Sequence, residues 1–242
     1  MTYLELINAV LVRLREDTVT AGNFNSDPYY RFIGSAVNDA KDRVEDAWQW
    51  SALRGTDYVE VINSSFADLP DSADDKHYII KRMYSSETYN PLTELPALRR
   101  MKQLTVEGMR QRYQEGFSNV PEGQPYEFSV AGRNPSTGNV RITLNPKVGS
   151  TPYALTVDRV NHQAPLVNAT DRLLVPSLPV YTLATALASR ERGEVGGTPV
   201  SELFAIADRH LSDAIATDSA LYSGEMDANA ANYWNRTNWK TA

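Results

Sequence analysis

Residues 125–160 read PYEFSVAGRNPSTGNVRITLNPKVGSTPYALTVDRV, and the fold turns on this stretch. Three short runs, PYEFSVAG, NVRITLNP and YALTVDRV, are rich in β-branched and aromatic residues and bounded by Pro, Gly and Asn, as strands are. The NPSTGN between the first two has hairpin-turn chemistry. Upstream, DYVEVIN and HYIIKRMY read as further strands, and TVEGMRQRYQ reads as a short helix among them. The spacing predicts a small antiparallel sheet or sandwich across residues 56–171.

Both flanks are helical in pattern. Leu4, Ile7, Leu11 and Leu14 recur at helical spacing after a Thr2/Glu5 capping box. A turn-rich DTVTAGNFNSDP breaks that helix. Asp27 as cap and Pro28 in the first turn then start a second one, with an apolar face of Ile33, Val37, Ala40, Val44, Ala47 and Trp48. It is expected to end near ALRG, with Gly55 at a positive φ. Trp48 is expected in the core, leaving Trp50 to anchor the β region or a partner. Downstream, LPVYTLATALASRER is a helix stopped by GEVGG. TPVSELFAIADRHLSDAIATDSALYS is another, capped at Thr198, with a stripe of Leu203, Ile206, Ala207, His210, Leu211, Ala214 and Ile215. A short Gly-rich turn between two helices predicts an antiparallel hairpin. The expected fold is therefore α+β: a helical bundle built from N- and C-terminal helix pairs, with a β-rich antiparallel insertion and an extended C-terminal arm. The expected domains are 1–55 with 172–224 for the discontinuous bundle, 56–171 for the insertion and 225–242 for the arm.

The chain has 242 residues, 42% of them hydrophobic, which is enough for a sizeable core. The sequence contains no cysteine, which excludes disulfides, thiolate metal sites and a cysteine nucleophile. The N-terminus lacks the pattern of a signal peptide and no apolar run is long enough to span a bilayer, so a protein made in a reducing cytoplasm, with no membrane partner, is expected. Net charge is −6, and no segment is a basic module of the kind that tight general nucleic-acid binding needs.

No HExxH, GxSxG, P-loop or strand-following GxGxxG is present, and no cofactor or metal site is expected. GEVGGTP follows a helix and reads as a stop. His77, His162 and His210 are scattered, and His210 lies on an apolar stripe, so a satisfied core or interface histidine is expected rather than a ligand. DSADD, with Asp71, Asp74 and Asp75, lacks the alternation of a calcium loop.

Two features point to partners. From Lys76 to Arg112 the chain carries eight bases against three acids. Lys81, Arg82, Arg99, Arg100, Lys102, Arg110 and Arg112 are candidate contacts to a neighbouring subunit or to DNA. The final stretch NYWNRTNWKTA, within the arm, has no helical or strand period yet holds Tyr233, Trp234 and Trp239, with Arg236 and Lys240 beside them. Aromatic rings are the usual anchors of interfaces, so these residues form a candidate docking arm.

Taken together, the pattern resembles the head-to-tail adaptor (connector or gatekeeper) proteins of tailed phages, the tail tubular protein A-like group. The resemblance rests on SDPYYRFIGSAVNDAKDRVEDAWQW as a long helix ending in tryptophan and on the strand, turn, strand of 125–160 with its L-x-P step and a strand pairing back. DRLLVPSLPVYTLATALASRERGE adds a step into a late helix hairpin. It covers most of residues 3–222, in patterns of type and order. The resemblance implies a virion structural protein, not an enzyme. Such a protein is made in the host cytoplasm and assembled at the head–tail junction. It forms a cyclic homo-oligomeric ring, commonly a dodecamer, between the portal protein and a tail nozzle or tail tube protein, and its arm, residues 225–242 here, docks on the portal or on a neighbouring subunit. It lines the channel through which double-stranded DNA passes transiently in genome packaging and ejection. An acidic wall suits that passage. The competing expectations are an assembly chaperone or other phage-type binding module, and, further off, a soluble enzyme using His162, Asp158 and Arg159.

Overall fold

The structure is a computed structural model and describes residues 1–70, 72, 78–87, 99–113, 121–193 and 200–220. The described residues form helices α1 (Tyr3–Arg13), α2 (Pro28–Ala47), α3 (Val106–Arg112), α4 (Ser177–Arg192) and α5 (Val200–Ala220). The strands are β1 (Arg54–Val61), β2 (Phe66–Asp68), β3 (Ile79–Glu87), β4 (Arg99–Arg100), β5 (Lys102–Gln103), β6 (Glu127–Arg133), β7 (Val140–Asn145) and β8 (Tyr153–Val160). The chain divides into two compact units, residues 1–53 with 163–242, and residues 54–162.

In the first unit, local signals start the helices as expected. The Thr2 hydroxyl accepts from the Glu5 amide and the Glu5 carboxylate accepts from the Thr2 amide, a complete capping box. Asp27 caps α2, accepting from the Tyr29 amide at 2.7 Å, with Pro28 in the first turn. Gly193 at φ +62° closes α4. Residues 163–171, expected in the insertion, belong here. Asn38 donates to the Leu166 carbonyl and accepts from the Leu166 amide, and Lys41 donates to the Gln163 carbonyl at 2.7 Å.

The expected bundle of N- and C-terminal helix pairs is not what forms. The fold is α+β, but its helices are interspersed with strands: α3 lies between β5 and β6. In the helical unit, α4 is central, packed against α1, α2 and α5, while α5 rests chiefly on α4. An apolar stripe dictates that a face be covered, not which helix covers it. Here α4 is buried almost all round through small residues, Thr182, Ala184, Thr185, Ala186, Ala188 and Ser189. The α5 stripe is only partly covered: Ala207 is buried, Leu203, His210, Leu211, Ala214 and Ile215 are half-buried, and Ile206 is exposed.

The end of α2 also departs from expectation. The helix stops at Ala47, and Trp48 is already extended at φ −153° and ψ 157°. Beyond that point helical spacing no longer applies, and each ring is placed by its own tertiary partner. Trp50 is the core ring, 1% exposed, donating to the Val44 carbonyl, while Trp48 is half-buried and donates to Asp218. Gly55 falls within β1, not at a helix end.

The second unit corrects the expectation of an antiparallel insertion. It holds two four-stranded sheets, β1-β8-β3-β4 and β2-β7-β6-β5, and the β5–β6 pair is parallel. NPSTGN does turn β6 into β7, with the Asn134 amide donating to the Asn139 carbonyl at 2.8 Å. The strand expected to pair back, β8, instead crosses to the other sheet and runs between β1 and β3. Its alternation explains why: Tyr153, Leu155 and Val157 share a core with Val61 and Met83 of their own sheet and with Phe128, Ile142 and Leu144 of the other.

Two substitutions test this packing. At Gly34, an added Cβ would sit inside van der Waals contact of the Tyr3 hydroxyl on α1. Gly34→Ala should cost about 1–3 kcal/mol in urea unfolding, because the buried Tyr3 ring must shift to admit it. Asp218→Ala should cost about 1–3 kcal/mol by leaving Ser51 and the Trp48 indole short of an acceptor. Full retention of stability in either variant would contradict the packing.

Candidate functional site

The site is built on the second sheet. Along β6 and β7 the side chains alternate. Phe128, Ile142 and Leu144 enter the core between the sheets, so their neighbours Glu127, Ser129, Thr143 and Asn145 face the other way. Helix α3 lies over that opposite face. Thr105 caps it, its hydroxyl accepting from the Gly108 amide at 3.0 Å. Met109 and Tyr113 are its buried side chains, and the Tyr113 hydroxyl donates to the Leu144 carbonyl. Burial pushes the Tyr113 phenol up to about 12.

Between α3 and the strands lies a cavity of about 300 Å³, lined by Val106, Met109, Arg110, Tyr113, Ser129, Ala131 and Thr143. Ser129 and Thr143 face each other across the strand pair and are 2% and 6% exposed. Among the described residues neither hydroxyl has a hydrogen-bond partner. At the β5 side, Glu127 is buried, accepts from Asn145 at 2.7 Å and pairs with Arg112 at 3.1 Å. On the β2 side, Asp68 holds Arg141 through two hydrogen bonds and accepts from Asn134. The bonds from Arg141 first, and from Asn134, hold the Asp68 carboxyl below the usual aspartate range.

The seven expected basic contacts all lie in this unit. Lys81 sits at the β3 bulge, where burial, and then the nearby Arg54, pull its pKa down. Arg82 is in register with Asp158. Arg99 places its guanidinium 4.7 Å from the Tyr126 ring, and Arg100 is in register with Tyr84. Lys102 is in register with Glu127, the carboxylate that Arg112 occupies. Only Arg110 reaches the cavity. Of the seven, Arg112 is paired with a carboxylate of its own unit and Arg99 stands over an aromatic ring of it, which linear charge counting does not show.

The arm residues Tyr233, Trp234, Arg236, Trp239 and Lys240 lie outside the described residues, as do Asp71, Asp74, Asp75, His77 and Thr198. Asp158 and Arg159, offered for an enzyme site with His162, are adjacent on a strand and face opposite sides. Arg159 pairs with Asp57, while Asp158 accepts from Thr56. His210 is half-buried on α5, and its Nδ1 is buried without a partner among the described residues. Among the described residues no cluster of His, Asp and Glu is suited to a metal ion, and no helix is long and apolar enough to cross a membrane.

The residues that reading the sequence missed are Ser129, Thr143, Met109 and Tyr113. Strand period alone would have put both hydroxyls on the non-core face. That a short helix roofs that face was not readable. No family model matches this chain, and no curated protein matches it.

The Asp68 clamp gives a pH prediction. Its folded pKa is depressed, so its contribution to stability is complete above the ordinary aspartate pKa and fades as pH falls through the lower folded value. Urea midpoints measured between pH 5 and pH 2 should fall less steeply for Asp68→Asn than for the unsubstituted chain. Parallel slopes would remove Asp68 from the account.

Proposed function

We propose that this chain is a ring-forming virion structural protein, a head–tail adaptor that links the portal to the tail or nozzle and lines the DNA channel. The observation that carries this reading is α5. Its 21 residues make a rod about 31 Å long. It rests chiefly on α4 and leaves much of its stripe half-covered, with Ile206 40% exposed and a buried His210 nitrogen unpartnered. A long helix with an apolar side that the described residues of its unit cover only in part suits side-by-side packing of copies. Copies that meet through two different surfaces close into rings. The net charge of −6 suits a wall past which DNA slides, since like charge disfavours phosphate contact. The resemblance in residues 3–222 supplies the partners: the portal above, a nozzle or tail tube below, and other copies at the sides.

The test is to mix the purified chain with portal protein and image the product. A closed ring of this chain beneath the portal is expected. Ile206→Asp should leave the isolated chain folded, because Ile206 is exposed, and should prevent ring closure. A single copy bound per portal subunit without lateral contact, or no binding, would sink the adaptor reading. Release of the chain once the portal has matured would point instead to an assembly chaperone.

A further inference from the structure

The cavity beneath α3 has the composition of a socket for one aromatic side chain. At about 300 Å³ it lies at the small end of ligand sites, which run from roughly 300 to 1,000 Å³. It therefore suits a single bicyclic ring better than a large cofactor. Val106, Met109, Tyr113 and Ala131 supply apolar wall, and a thioether is a favourable neighbour for an aromatic edge. The Ser129 and Thr143 hydroxyls, which line the cavity and are unpartnered among the described residues, offer acceptors in that wall. An indole is a hydrogen-bond donor only, so it meets an acceptor without needing one of its own satisfied. Arg110, exposed on α3 and lining the cavity, can place a cation over a ring face.

The sequence contains four tryptophans. Two are already engaged: the Trp48 indole donates to Asp218 at 2.9 Å and that of Trp50 to the Val44 carbonyl at 2.6 Å. The other two, Trp234 and Trp239, lie in residues 221–242, beyond α5. We infer that the α3 cavity receives an indole ring, Trp234 or Trp239, from the C-terminal segment of a neighbouring copy. This rests on the ring-forming reading above. It is the contact that reading needs: a terminal segment of one copy meeting a different surface on the next is a heterologous contact of the kind that closes rings.

The probe is a fluorescein-labelled peptide of residues 225–242, titrated by anisotropy onto the full-length chain carrying Trp234→Ala and Trp239→Ala. That chain keeps the cavity and removes the competing rings. Saturable binding is expected. It should weaken about tenfold or more when both tryptophans of the peptide are alanine, as for a buried aromatic anchor. The same loss is expected when the chain also carries Ala131→Phe. Position 131 is exposed, so the new ring fills the cavity without entering the core, and circular dichroism checks the fold. Ser129→Ala with Thr143→Val should weaken binding while leaving the apolar walls in place. The unsubstituted chain, at concentrations where it is monomeric, should bind the peptide as tightly as the double variant.

Absent binding, or unchanged binding in a folded Ala131→Phe chain, overturns the inference. Binding about tenfold weaker to the unsubstituted monomer would mean that its own segment fills the socket, which overturns the neighbouring copy as donor. Peptide binding with these dependences but no ring on the portal would sink the adaptor reading and leave the socket standing. A ring on the portal built by the Ala131→Phe chain would do the reverse.

Discussion

The helical unit depends on α4 being thin. From Pro179 to Ser189 its buried positions are mostly small: Thr182, Ala184, Thr185, Ala186, Ala188 and Ser189. Interaxial distance is set by the side chains at the contact, so a slender helix lets three others approach at once. The threonine hydroxyls raise no cost, because Thr182 and Thr185 donate back to the carbonyls of Leu178 and Tyr181. A larger residue at any of these positions would push α1, α2 or α5 away.

Around that axis, polar groups stitch together segments remote in sequence. Lys41, wholly buried, donates to the Gln163 carbonyl and pairs with Glu45 at 3.3 Å. Asn38 clamps Leu166 at both its amide and its carbonyl. Asp218 accepts from Trp48 and Ser51. Each joins the N-terminal helices to chain that returns only after the β unit. The buried Lys41–Glu45 pair lies within α2 and is weak evidence for stability by itself; the link to the returning chain is the Lys41 bond to the Gln163 carbonyl. The discontinuity of the unit is therefore held by specific contacts as well as by apolar burial.

In the β unit the same economy of faces generates the socket. Each strand offers two sides, and the sheets use one for their common core. The other side of β6 and β7 carries Ser129 and Thr143, residues too small to fill the space beneath α3. Small polar residues under a short helix leave room where a leucine or phenylalanine pair would have closed it.

Local signals were legible because their physics is local. The Thr2/Glu5 box, Asp27 before Pro28, Gly193 and the NPSTGN turn each satisfy backbone groups within a few residues, and β-prone composition between turns located β1, β3, β6, β7 and β8, though not the two- and three-residue strands β2, β4 and β5. Partnership was not legible. That β8 leaves β7 for β1 and β3, that α5 leans on α4, that Trp50 rather than Trp48 turns inward, and that Arg112 is spent on Glu127 all depend on which surfaces meet. A hydrophobic pattern says only that a face must be covered. By itself, then, the sequence determined the longer elements, the ends that a local cap fixes and the apolar sides. Only the tertiary structure decided which sides pair and which cavity remains, because burial is non-directional and the choice among partners is made by shape and by buried polar groups at long range.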